Sequence, residues 1–78
     1  MAAATIPING EALRAFRILR GMSRQALALA AQSSYSHVAN LETEEKTPSA
    51  ELVHRIALVL DVPVGALTRG RNALQAAS

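Results

Sequence analysis

Side chains able to perform acid–base or metal chemistry are sparse in this 78-residue chain, which has two histidines and no cysteine. Without cysteine there is no thiol nucleophile, no disulfide framework and no cysteine zinc site. His37 and His54 have no second ligand at helical spacing, no serine, histidine and carboxylate are arranged for nucleophilic attack, and no glycine-rich loop could cradle a phosphate. These absences argue against an enzyme, a metal site and a small-molecule cofactor. The usable pattern is one of hydrogen-bonding groups: Tyr35, Ser36, Asn40 and Thr43 in one stretch, with Arg24 upstream. An Asn amide can pair with adenine N6 and N7, a Ser hydroxyl can donate or accept, and the Ala39 methyl suits a thymine methyl. Each well-made paired contact discriminates between bases by about 1–3 kcal/mol.

The charge distribution is compatible with a polyanionic partner. The formal charge is only +2, yet Glu11 to Arg24 carries one acid against Arg14, Arg17, Arg20 and Arg24. Glu42 to Glu51 reverses this, with Glu42, Glu44, Glu45 and Glu51 against Lys46. Such polarity suits one cationic face. Half the residues are apolar and 3% are aromatic, so the core is expected to be aliphatic. This composition and length argue against a disordered tail, a collagen-like chain and a multidomain enzyme. No apolar run reaches the ~20 residues of a membrane span. No basic residue precedes Arg14, a poor match to a signal peptide, so the expected compartment is the cytoplasm.

Capping residues and apolar spacing divide the chain into helices. Residues 1–8 read as a flexible lead. Asn9 can cap a first helix, with Glu11 in its first turn and Ile8 and Leu13 spaced as a hydrophobic staple. Gly21 is placed to end it. Ser23 caps a second helix with Leu27, Ala28 and Ala31 inward; Ser34 caps a third with Val38 and Leu41 inward. A polar loop from Glu44 to Pro48 precedes a fourth helix, capped by Ser49 and carrying Leu52, Val53, Ile56, Leu58, Val59 and Leu60 as its buried set. Asp61 to Pro63 ends it. A short turn over Val64–Leu67 follows, then a tail over 69–78 that is helical or disordered. There is no strand pattern.

The second and third helices, joined by the Gln32-Ser33 break, have the spacing of a helix-turn-helix. At ~100° per residue, the face opposite Val38 and Leu41 carries Ser36, Asn40 and Thr43, with Ala39 beside them. Tyr35 and Ser36 fall in the first turn, the end that usually meets base edges. Arg24 lies in the first turn of the second helix, where a phosphate would also meet free backbone N–H groups.

Residues 13–67 resemble the helix-turn-helix domain of the lambda-repressor and Cro family. The matching features are the Arg17 position, Gly21-Met22-Ser23, Leu27-Ala28, Val38, Leu41-Glu42, Pro48-Ser49 and the closing Leu60-Asp61-Val62-Pro63-Val64-Gly65-Ala66-Leu67. The resemblance implies a compact, all-α, five-helix domain over residues 9–68 that binds double-stranded operator DNA, usually as a homodimer. It implies that Tyr35, Ser36 and Asn40 read bases, and that Arg24, Ser34, Thr43 and Lys46 touch phosphate. It also implies a structural ion pair between Arg17 and Glu42, tying the first helix to the end of the third. Compact members of the family are frequent in phages and mobile elements.

The chain departs from the family pattern in three places. Gln32 stands where glycine is common in the turn, which costs strain if its φ is positive. Ser33 replaces an apolar residue. The loop after the third helix reads Thr43-Glu44-Glu45-Lys46 instead of Asn-Gly followed by basic residues. Two carboxylates beside a phosphate backbone oppose binding there.

The expected function is a sequence-specific transcriptional regulator, a repressor that binds a palindromic site as a homodimer with the third helix in the major groove, within the nucleoid. The alternative is a protein-interaction module on the same scaffold, an antitoxin or a subunit of a larger regulatory complex. That reading rests on the acidic loop and on apolar residues at Ile18, Leu19, Leu67 and Leu74. Of the remaining titratable groups, His37 is expected at the helix flank and His54 as a partly buried structural residue.

Overall fold

The computed structural model describes residues 5–69. Among these residues the elements are α1 (Gly10–Leu19), α2 (Arg24–Ala30), α3 (Tyr35–Glu42), α4 (Ala50–Leu60) and a 3-10 turn over Val64–Leu67. The expected fifth helix is therefore only this turn. Pro63 opens it, and Thr68 is already extended and bridged to Ile8, which leaves no room for an α-helical turn to propagate. Of the tail expected over 69–78, Arg69 alone lies within the described residues.

Each helix starts where a short polar side chain can satisfy a free amide. Asn9 accepts from the Ala12 N–H at 3.1 Å, Ser23 from Ala26 at 3.0 Å, Ser34 from His37 at 3.1 Å and Ser49 from Leu52 at 3.1 Å. Such a cap contributes about 1 kcal/mol relative to alanine.

The helices also end alike. After α1 the Met22 N–H reaches the Arg17 carbonyl at 3.0 Å and the Gly21 N–H reaches Ile18 at 2.9 Å. The same paired bonds close α2 (Ser33 to Ala28, Gln32 to Leu29), α3 (Glu45 to Asn40, Glu44 to Leu41) and α4 (Val62 to Ala57, Asp61 to Leu58). This closure requires one residue in the left-handed region. Gly21 supplies it after α1 at φ 70°, but Gln32, Glu44 and Asp61 adopt it at 60°, 63° and 60° with a Cβ in place.

The core is aliphatic. Leu13, Leu27, Val38, Leu41, Val53, Ile56, Leu60 and Leu67 are completely buried, and Phe16 packs at its edge. Ile8 is buried with them, so the expected lead over 1–8 joins the fold at its described end. The Ile6 N–H donates to Pro48 at 3.1 Å, and isolated antiparallel bridges link Thr5 to Ser49 and Ile8 to Thr68. α4 departs from the sequence expectation at Leu58, which is 82% exposed, and at Val59, which is only half-buried. The inward stripe runs Leu52, Val53, Ile56, Ala57, Leu60, and this 3.6-residue repeat turns Leu58 outward and brings Ala57 in.

Candidate nucleic-acid interface

α3 is held from below and bare above. Val38 and Leu41 have no exposed surface, whereas Tyr35, Ser36 and Thr43 are exposed and Ala39 and Asn40 half-buried. Two apolar positions, i and i+3, thus fix the rotation of a helix of 8 residues about its axis. Its partner α2 contributes Leu27 and Ala28, both buried, and the turn between them is closed by the Ser33 N–H on the Ala28 carbonyl at 2.8 Å.

A buried carboxylate locks three helices together. Glu42, its side chain 2% exposed, accepts from Arg17 Nε at 2.6 Å and from Arg24 Nε at 3.0 Å. Arg17 also donates through Nη1 to the Met22 carbonyl at 2.8 Å, so the end of α1 is tied to the same node. Two guanidiniums on one carboxylate leave a net positive charge at the start of α2. Arg24 is held more firmly protonated than usual, by Glu42 first and then by the Tyr35 hydroxyl. Arg24 is therefore tied inward to Glu42.

The other expected contact residues differ in what they can offer a phosphate. Ser34 uses its oxygen to accept from His37, so its hydroxyl hydrogen is available to donate. Thr43 instead donates back to the carbonyls of Ala39 at 3.3 Å and Asn40 at 3.2 Å; a phosphate would have to draw that hydrogen away. Lys46 is exposed in the loop after α3. His37 is half-buried on the flank of α3, whereas His54 is exposed, with Nδ1 at 2.9 Å from the Ala50 carbonyl. The expectation of a partly buried His54 is thus corrected: on α4 it shares the outward stripe with Glu51 and Leu58. Among the described residues no group of three or more His, Asp or Glu could hold a metal ion.

Several important side chains carry no signal in the sequence. Arg20 Nε donates to the Leu60 carbonyl at 2.7 Å and Arg55 Nε to the Ala31 carbonyl at 2.8 Å, so these cations cap helix C-termini. Glu44 turns back into the fold. Its Oε2 accepts from the Gly10 N–H at 2.9 Å, one of the free amides of the α1 N-terminus, and from Arg69 Nη2. The Gly10 amide first and Arg69 second pull its carboxyl below the ordinary 4.5. Gly10 has to be glycine, because a Cβ there would lie 2.2 Å from the Glu42 carbonyl oxygen. Only that residue left a sequence clue, a poor helix former at the first helical position.

A short helix crossing a second one, pinned by buried aliphatic residues and bare on its far side, defines a helix-turn-helix domain. The comparisons with known proteins agree. Residues 13–67 match the helix-turn-helix family, and the chain belongs to this XRE-type family of DNA-binding regulators. The restriction-modification controller protein C.AhdI from Aeromonas hydrophila is 26% identical, superposes with a TM-score of 0.71, and is matched over 73% of this chain and 86% of its own. The biofilm regulator SinR of Bacillus subtilis, solved in complex with DNA, is 28% identical with a TM-score of 0.70, over 73% of this chain and 95% of its own. The clp gene regulator ClgR from Corynebacterium glutamicum is 36% identical with a TM-score of 0.71, over 87% of this chain and 76% of its own. No curated protein matches the chain in sequence. No helix among the described residues is long and apolar enough to cross a membrane.

Proposed function

We propose that the chain is a sequence-specific transcriptional regulator that binds a palindromic operator as a homodimer, with α3 in the major groove. The observation that carries this reading is the polarity of α3: Val38 and Leu41 are sealed while Tyr35, Ser36 and Thr43 stand exposed. Tyr35, Ser36 and Asn40 would read base edges, and Arg24, Ser34 and Lys46 would hold phosphate. Thr43 joins the second group only by giving up its bonds to α3. SinR, a structural neighbour, has been solved with DNA, which supports double-stranded DNA as the partner.

One α3 spans only a few base pairs, so two copies about 34 Å apart on successive major-groove faces would give a useful site. The exposed apolar side chains of Leu19 and Leu58, at 72% and 82%, support a second copy as a neighbour. Repression is the simplest action for such a dimer, since occupancy of a promoter is enough to block it. The chain would act in the cytoplasm, at the nucleoid. Selection of bound duplexes from a random pool tests the whole reading. Enrichment of a two-fold symmetric motif is the expected result; no enrichment at low salt overturns it, and an asymmetric single half-site overturns the homodimer.

The same exposed leucines favour a second reading, a protein-interaction module such as an antitoxin or a subunit of a larger complex. Two residues first placed on its side do not support it: Leu67 is completely buried, and Leu74 lies outside the described residues. A chain that shows no salt-sensitive binding to random duplex at low micromolar concentration would favour this second reading.

A further inference from the structure

Glu44 occupies a left-handed backbone position at φ 63°, where glycine fits without strain, and it follows Thr43, the C-cap of α3. A carboxylate in that loop should repel a phosphate backbone, yet this one is bonded back to groups of the protein itself. Its Oε2 receives the Gly10 amide from the first turn of α1 and a guanidinium N–H of Arg69. Arg69 also donates to Asn9 Oδ1 at 3.1 Å, the oxygen that caps α1, while its own amide donates to the Pro7 carbonyl at 3.0 Å. At the same crossing the α1 backbone lies so close to the Glu42 carbonyl that only glycine fits at position 10. The end of α3, the start of α1 and the end of the described chain therefore meet at one carboxylate oxygen, and Arg69 carries the link on to Asn9 and Pro7. A strained conformation persists where surrounding contacts over-determine it.

From this convergence we infer that Glu44 and Arg69 are a positioning pair for the DNA interface: they clamp the C-terminal end of α3 to the N-terminus of α1 and so fix the angle at which Ser36 and Asn40 are presented. The inference rests on the proposed reading of α3 as the helix in the major groove. It distinguishes the two acids of the loop: both are exposed, but Glu44 holds the Gly10 amide and Arg69. The carboxyl of Glu44 stays ionised below the usual range, as its two donors require.

The test compares the full chain with Glu44→Gln, Arg69→Gln and the double variant, each titrated against the duplex selected by the unaltered chain and against a shuffled duplex, at several salt concentrations. A clamp predicts that each single change lowers the preference for the selected duplex by about threefold or more, and that the double change falls short of the product of the two, because both weaken the shared Glu44–Arg69 contact. The salt slope should hold for Glu44→Gln, which touches no phosphate. If Glu44→Gln instead tightens both duplexes and steepens the salt dependence, Glu44 is only a repelling charge and the inference is overturned. Independent effects that multiply in the double variant overturn it as well. Should Glu44→Gln melt below the assay temperature, Arg69→Gln carries the test, because it leaves the Glu44–Gly10 bond in place; an unchanged preference in that variant rejects the clamp. Failure of the unaltered chain to bind any duplex is a different result: it overturns the DNA reading and the role of Glu44 with it.

Discussion

Arg17 Nε stands 2.6 Å from Glu42 Oε2, joining residues 25 apart in the chain, with only 9% and 2% of the two side chains exposed. This ion pair is the joint between the first helix and the end of α3, and Arg24 shares its carboxylate. Removing one side of a sealed pair leaves the other charge in a poorly solvated place. Glu42→Ala is therefore expected to lower unfolding free energy by about 3–5 kcal/mol, read from urea denaturation. A loss under about 1 kcal/mol would show that water reaches the node freely.

The Gly10 crossing should tolerate no side chain. An added Cβ lies 2.2 Å from a backbone oxygen of Glu42 and 2.9 Å from that of Leu41, and neither can swing aside as a flexible side chain could. Gly10→Ala must push α1 from α3 and is expected to cost about 1–3 kcal/mol or more. A thermal melt checks this, and an unchanged midpoint would contradict the close approach.

The turn between α2 and α3 stores removable strain. Gln32 sits at φ 60°, as its place in a turn that commonly holds glycine foreshadowed. A Cβ in that region costs roughly 1–2 kcal/mol, partly offset in a glycine variant by the greater freedom of the unfolded chain. Gln32→Gly should stabilise the protein by up to about 1 kcal/mol, and Gly21→Ala, at φ 70° after α1, should destabilise it by a similar amount. Opposite signs in paired denaturation curves are the expected signature.

Acid should weaken the clamp at Glu44. Its carboxyl titrates below the ordinary 4.5 in the folded protein because the Gly10 amide and Arg69 favour the charged form. A group with a depressed folded value contributes stability above its unfolded value and loses it as pH falls through the folded one. The stability difference between the unaltered chain and Glu44→Gln should therefore be full above pH 4.5 and shrink below it. A difference independent of pH down to complete acid unfolding would exclude the ionised clamp.

Base reading by Asn40 is tested by truncation. Asn40→Ala should relax preference at one position of the selected motif by about 1–3 kcal/mol and leave the others intact. Uniform weakening at every position would assign Asn40 to the backbone instead.

What the sequence determined by itself is local. The caps at Asn9, Ser23, Ser34 and Ser49, the helix between each cap and its stop, and the inward pair Val38 and Leu41 follow from interactions within four residues, so their types and spacing suffice. The exposure of Leu58 was equally local and could have been read by holding α4 to its helical repeat. The Arg17–Glu42 pair was reachable only through the family resemblance, since spacing does not pair residues on different helices. Tertiary structure alone decided that Arg20 caps α4, that Arg55 caps α2, and that Glu44 bonds to the start of α1, contacts that span 40, 24 and 34 residues. The physical reason is that such bonds depend on how helices cross, and the crossing is fixed by the packed aliphatic core as a whole. A charge run in sequence gives the number of cations and acids, whereas the folded core determines which of them remain free to meet a partner.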